Sequence, residues 1–490
     1  MKAPFSNYLN DQTPFFREIV SDLSSFYEYV SLLATDSVGF RVSLSQRRKT
    51  VSGSNMTTER GVVIRVSRYG LYSEFAFNAP EDICPRESVQ GDVAAYAKAV
   101  CVKIRETLDA QLRLLARTKS EIYETGVLAD EPLELFVEKE TERLPEKEDM
   151  SSLIEYCNGL SSKGMERIEG ALDVIVNGSS THINKLFLTK NRFLRQSYVY
   201  TECSMASYGR NEDGEVKTIY LGKSGCKGPE TFSELDECVD ELAQIMKDTL
   251  KAGKIVPGEY EIITSPEVTG LIAHEAFGHG VEMDMFVKKR ALGAEYLNKR
   301  IGSDLVTMHE GALCDNSVTA YAFDDEGVLA GDVTEIENGI LRTGICDALA
   351  AVRLGVQPTG NGKRENYGHK VYTRMTNTIF DSGSSTKEEM IASVKYGYLL
   401  EGMESGMEDP KHWGIQCIIA RGYEIKDGKL TGNVVAPVVM TGYVPDLLGN
   451  VSMISNDRCV YGNGGCGKGH KEWVKVADGG PYLKTKARLG

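Results

Sequence analysis

The stretch Ser265-Pro266-Glu267-Val268-Thr269-Gly270-Leu271-Ile272-Ala273-His274-Glu275-Ala276-Phe277-Gly278-His279 decides how this chain is read. Ser265 can cap a helix, Pro266 suits its first position, where a backbone N–H is not needed, and Glu267 falls in its first turn. Val268, Leu271 and Ile272 form an apolar stripe, and Glu275 lies on the same side as Val268. The helix is therefore expected to carry His274, Glu275 and His279 into the interior. Two imidazoles can bind a transition metal, and a carboxylate between them can take a proton from a water that the metal acidifies. In the common zinc-protease pattern the two His are four residues apart; here they are five apart. A regular α-helix would set them about 140° apart around its axis, too far for one ion. A π-turn returns residues i and i+5 to one face, and Gly278 is the residue expected to relax the backbone there.

Outward from this helix, Tyr260-Glu261-Ile262-Ile263 reads as the strand before it. Further on, Asn338-Gly339 and Asp427-Gly428 each separate two strand-like runs, the signal of a tight hairpin. Short antiparallel connections of this kind argue against a doubly wound parallel sheet. Toward the N-terminus, apolar spacing predicts helices over 13–34, 90–118, within 152–175 and over 231–251. Val62-Val63-Ile64-Arg65-Val66 and residues 71–77 read as strands joined at Tyr69-Gly70, and 183–222 is strand-rich. The Glu-dense segment 130–149 is expected to be a solvated surface stretch, and the Gly-rich run 222–228 a break. The expected fold class is α+β. An N-terminal α+β region with antiparallel sheet and helices would span 1–228, and a C-terminal β-rich domain carrying the metal-binding helix would span 229–490.

Composition fits a globular enzyme, with 41% hydrophobic and 26% charged residues. A net charge of −14 argues against nucleic acid as a partner, since phosphate-backbone binding needs a basic surface. No run of about 18 apolar residues is present, so no membrane association is expected. The start, Met1-Lys2-Ala3-Pro4-Phe5-Ser6-Asn7, lacks the apolar core of a signal peptide. Eleven scattered Cys, an odd number, suit a reducing, cytoplasmic setting in which most are buried as small apolar residues.

Two His need a further ligand. The run Gly462-Asn463-Gly464-Gly465-Cys466-Gly467-Lys468-Gly469-His470 offers the thiolate of Cys466 on a backbone able to approach an ion closely. Cys459 and His470 compete for the role. The same run imitates a phosphate loop, but Gly469 stands where Ser or Thr would hold magnesium, and too little chain follows for a nucleotide-binding sheet. Glu282 and Asp284 are candidates to orient a ligand His from behind, or are solvated acids at a helix end. Arg374 and Asn377 are candidates to hold substrate carbonyls or a carboxylate, or else stabilise a turn. His309, His369 and His412 are expected to be structural or exposed.

The run from Gly270 to Asp284 resembles the metal-binding segment of the TldD/PmbA family of peptidases. Thr359-Gly360-Asn361-Gly362-Lys363-Arg364-Glu365-Asn366-Tyr367 and Arg374-Met375-Thr376-Asn377-Thr378 resemble its central signatures, Cys466-Gly467-Lys468 its C-terminal one, and Gly61-Val62-Val63-Ile64-Arg65-Val66 its N-terminal one. The resemblance is strong over 255–487 and weak over 85–230. It implies a zinc peptidase of the TldD type, with His274, His279 and Cys466 on the metal and Glu275 as base; the metal-free PmbA branch lacks these residues. It implies peptide or unfolded-protein substrates, a cytoplasmic location, and a homodimer or a heterodimer with a metal-free PmbA-type chain. Two stretches depart from the pattern: Gly469-His470-Lys471 replaces a Gln-containing version, and 401–417 matches the family's Gly-rich strand loosely. The rival readings are a metal-stabilised peptide-binding or regulatory protein without proteolytic activity, and a hydrolase of non-peptide amides.

Overall fold

The computed structural model describes residues 1–53, 58–118, 124–468 and 472–490, and its fold is α+β. An eight-stranded sheet forms the N-terminal part. Its main path runs Leu71–Phe77, Glu59–Arg68, Tyr29–Leu44, Ala171–Leu188, Arg192–Arg210, Leu133–Glu138. Lys49–Ser52 pairs beside Tyr29–Leu44, and Val216–Gly225 beside Arg192–Arg210. All pairings are antiparallel except that of Leu133–Glu138. Helices Asn7–Leu23 and Val93–Arg117 seal one area of the sheet, with Ile19, Leu23, Val100 and Ile104 packed on Leu32, Ile64 and Leu186. Met150–Arg167 and Cys238–Leu250 seal another, with Leu160, Leu242 and Met246 packed on Val176 and Met205. Each such fully buried aliphatic side chain contributes roughly 1.5–3 kcal/mol.

The helix expected over 13–34 is shorter and lies earlier. It ends at Leu23, and the strand Tyr29–Leu44 has already begun at Val30. Phe26, counted toward the apolar stripe, is 40% exposed. The stripe continued past the helix end only because a strand's buried residues happened to fall in phase with it. The acidic segment 130–149 is not all solvated: it contributes the strand Leu133–Glu138, and Leu144 and Pro145 are buried.

The C-terminal part is built on a small closed barrel. Tyr396–Asp409 pairs with Gly258–Thr264, which pairs with Leu483–Leu489. That strand pairs with Val438–Tyr443, which pairs with Gly414–Lys426, and Gly414–Lys426 returns to Tyr396–Asp409. Both expected hairpins are present, with positive φ at Asn338-Gly339 and at Asp427-Gly428, as a type I′ turn requires. A second sheet, ordered Ile340–Leu341, Val333–Glu337, Met308–Glu310, Asn377–Phe380, Ala477–Gly480, Cys459–Tyr461, lies against the metal-motif helix. Gly270 makes that close packing possible: a Cβ there would sit 2.5 Å from Asp478 Oδ1 and 2.7 Å from the Gly479 nitrogen.

Candidate metal centre

Ser265 caps the helix Pro266–Leu271, accepting the Val268 N–H at 3.4 Å. From Ile272 to Phe277 the backbone widens into a π-helix, then tightens over Gly278–Val281. The widened turn does what the five-residue spacing demanded. The two imidazole rings stand edge to face with centroids 5.2 Å apart. Leu271, Ile272, Ala276 and Phe277 anchor the turn in the core shared with Ile262, Trp413 and Ile419. Gly278 serves a different purpose from the one expected. Its φ of −55° is ordinary for any residue; a side chain there would collide with the Met375 sulfur.

Cys466 arrives on the hairpin Gly465–Lys468 and Glu472–Lys475, opposite Val474. Its Sγ is 3.3 Å from His279 Nε2, and ligand atoms of His274, His279 and Cys466 all lie within 4.8 Å of one another. A thiolate and an imidazole on one tetrahedral zinc stand about 3.5 Å apart, so the donor set fits that ion. Burial opposes ionisation of Cys466, but His274 and His279 outweigh it and hold the thiol down at about 4. Glu275 lies on the same turn with Oε2 3.9 Å from His279 Nε2; burial raises its carboxyl above the usual range. Strand Tyr396–Asp409 passes directly over it, and Gly406 leaves the room: a Cβ there would be 2.6 Å from Glu275 Cγ. This explains Gly406, one of the three glycines in the stretch 401–417.

Carboxylates stand behind the ligands. Glu282, fully buried, accepts the His279 Nδ1–H at 3.1 Å, which turns Nε2 toward Cys466. Burial would raise the Glu282 carboxyl, but Lys468, His279 and Arg374 bring it well below the usual range. Asp284 does not touch a ligand His. It pairs with Lys468 at 2.7 Å and Lys288 at 2.8 Å, and Lys468 links it to Glu282 at 3.1 Å. Asp478, which sequence reading missed, has Oδ2 3.9 Å from His274 Nδ1; burial lifts its carboxyl to about 6. No local signal marks it, because only the folded sheet brings strand Ala477–Gly480 beside the helix.

Arg374 and Asn377 need correcting as substrate contacts. Both are fully buried. Arg374 donates to the carbonyls of Cys466 at 2.7 Å and Glu472 at 3.0 Å, so it holds the hairpin from inside. Asn377 donates to the Gly311 carbonyl and accepts from Thr319. Cys459 is exposed and outside the ligand cluster, and His470 lies outside the described residues. His309 pairs with Asp332, His412 with Asp409, and His369 with Glu365 and Glu472. A cavity of about 770 Å³ is not lined by the three candidate ligands; it lies between the N-terminal sheet and the Cys466 hairpin, bounded by Tyr198, Tyr200, Lys363 and Trp473.

A His–His–Cys donor set beside a carboxylate, on a widened turn packed against a small barrel, is a group able to hold one transition-metal ion. Residues 257–486 match the family model of the PmbA/TldA metallopeptidase C-terminal domain, so this part of the chain is a C-terminal domain of the PmbA/TldD type. It is 32% identical over 273 residues to a metalloprotease of Methanothermobacter thermautotrophicus, covering 55% of this chain and 59% of that one. It is 30% identical over 256 residues to the zinc metalloprotease TldD homolog of Saccharolobus solfataricus, covering 52% and 56%. The chain thus spans little more than half the length of these curated relatives. In fold it resembles TldE from Thermococcus kodakarensis, at TM-score 0.73 and 16% identity over 97% of this chain and 100% of that one. Among the described residues no helix is long and apolar enough to cross a membrane.

Proposed function

We propose that this chain is a zinc-dependent peptidase that hydrolyses peptide bonds in peptides or unfolded protein segments, with Glu275 as general base. The observation that carries the reading is the placement of Glu275 on the widened turn, 3.9 Å from a ligand His whose other ring nitrogen is held by Glu282. His274, His279 and Cys466 would hold the zinc, which supplies a Lewis acid able to polarise a carbonyl and acidify water. Glu275 Oε2 receives the proton taken from the attacking water and returns it to the leaving amine. Burial prepares it for both tasks by raising its proton affinity toward working pH. Glu282 fixes the ring of His279, and Asp478 faces that of His274.

The substrate form follows from the strand above the base. Tyr396–Asp409 is paired along one edge with Gly414–Lys426, but Gly258–Thr264 covers its other edge only over 397–400. Beyond that point the second edge pairs with no strand among the described residues. An extended peptide can add to this edge by main-chain hydrogen bonds, which read little sequence. A folded protein offers no such backbone. The family resemblance adds a partner chain, either a second copy or a metal-free PmbA-type chain, and a cytoplasmic setting. The described structure holds eleven free thiols, which suits a reducing compartment.

The test is a peptide digest by the zinc-loaded chain and its Glu275→Gln variant, read by mass spectrometry. Cleavage lost with peptide binding kept supports the reading. Cleavage unchanged in the variant removes Glu275 from its role, and binding without cleavage in both identifies a metal-stabilised peptide binder.

A further inference from the structure

A second group of metal-ligating side chains lies away from the first. Glu365 and His369 come from the loop between strands Gly362–Lys363 and Tyr372–Thr373, and Glu472 from the start of the second strand of the Cys466 hairpin. His369 Nδ1 is 2.9 Å from Glu472 Oε2 and 3.5 Å from Glu365 Oε2, and the three ligand atoms all fall within 4.8 Å of one another. Neighbouring ligands about 2.1 Å from a common ion stand about 3.0–3.4 Å apart in octahedral or tetrahedral shells, and the two His369 spacings, 2.9 and 3.5 Å, lie close to that range.

Charge points the same way. Two carboxylates converge on one ring nitrogen, which can donate only one proton. Among the described residues neither Glu365 nor Glu472 pairs with a Lys or Arg. The ligands are also held from outside the group. Glu365 accepts the Trp473 N–H at 2.9 Å, Arg364 donates to the His369 carbonyl at 2.7 Å, and Arg374 donates to the Glu472 carbonyl at 3.0 Å. Side-chain exposures of 28%, 33% and 13% for Glu365, His369 and Glu472 leave an entry path.

We propose that Glu365, His369 and Glu472 form a second site for a divalent first-row ion. One imidazole and two carboxylates, without a thiolate, select Mn²⁺, Co²⁺ or Zn²⁺ rather than a softer ion. The occupant ties the loop 364–371 to the strand Glu472–Lys475. That strand is the hairpin partner of the one bearing Cys466, so the ion braces the hairpin that delivers the third ligand to the first centre. The inference stands whether or not the first centre is a peptidase.

The test titrates Mn²⁺ into full-length chain carrying one zinc per chain and freed of excess zinc, following free Mn²⁺ by electron paramagnetic resonance and Trp fluorescence in parallel. One further Mn²⁺ per chain is expected, with quenching that disappears in Trp473→Phe. His369→Ala and Glu365→Gln should each weaken that binding by about tenfold or more while keeping the zinc. His279→Ala, which disables the first centre, should still take up Mn²⁺, so failure of the two sites is distinguishable. No Mn²⁺ uptake by the wild type at millimolar concentration would overturn the proposal, as would equal uptake by His369→Ala; the trio is then a His–carboxylate ion pair only.

Discussion

Glu282 Oε2 lies 3.1 Å from His279 Nδ1, and this one contact decides which nitrogen of His279 faces the ligand cluster. Replacing Glu282 by Ala frees the ring to rotate and to change tautomer. On the proposed reading, zinc affinity should fall by about 10–100-fold. Competition against a chromophoric chelator measures this; unchanged affinity would mean that packing alone orients the ring.

Gly406 is predicted to matter for activity rather than metal binding. A Cβ at this position would be 2.8 Å from Glu275 Cβ and 2.6 Å from its Cγ. Gly406→Ala must push Glu275 or the strand aside, and if Glu275 is the base as proposed, displacement of about 1 Å can lower the rate on the order of a hundredfold. Metal content should stay at the wild-type level while kcat falls. Equal loss of both would show that the strand supports the whole centre.

The joint between the two parts of the chain supplies a pH-dependent prediction. Glu74, on the N-terminal sheet, accepts from Arg65 at 2.7 Å and from Arg364 of the C-terminal part at 2.6 and 3.0 Å. Burial would raise its carboxyl, but the two guanidinium groups outweigh burial and hold it far below its ordinary 4.5. A carboxyl lowered by folding contributes stability that is complete above its unfolded value. That stability is lost as pH falls from 4.5 toward the folded value. Glu74→Ala should destabilise the chain by about 1–3 kcal/mol at neutral pH, because buried Arg65 keeps Glu326 but loses this partner. The gap in melting temperature should narrow as the medium is acidified below pH 4.5. A gap constant from pH 7 to pH 3 would contradict the assignment.

The metal helix was the most legible part of the chain, because its signals are local. A cap, a Pro at the first position and a His pair five apart specify a helix that must widen, and the π-turn follows. Cys466 was legible through its glycine-rich setting. What sequence could not show was space and direction. Gly278 and Gly406 are glycine because Met375 and Glu275 occupy the volume a side chain would need. Arg374 and Asn377 carry groups suited to a substrate, yet both point into the fold. Asp478 is an isolated acid in sequence and gains meaning only when its strand pairs in parallel with Asn377–Phe380 beside the helix. At the N-terminus the apolar period ran unbroken from helix into strand, so the helix boundary was invisible to spacing.

The account is tested most directly by digesting a stable folded domain and its destabilised mutant with the zinc-loaded chain, beside Glu275→Gln at equal metal content. It predicts rapid cleavage of the destabilised mutant and sparing of the folded domain. It also predicts loss of cleavage both on chelation and in Glu275→Gln. Equal cleavage of the two substrates would contradict the edge-strand account of substrate form, and full cleavage by Glu275→Gln with zinc bound would contradict the central assignment of the base.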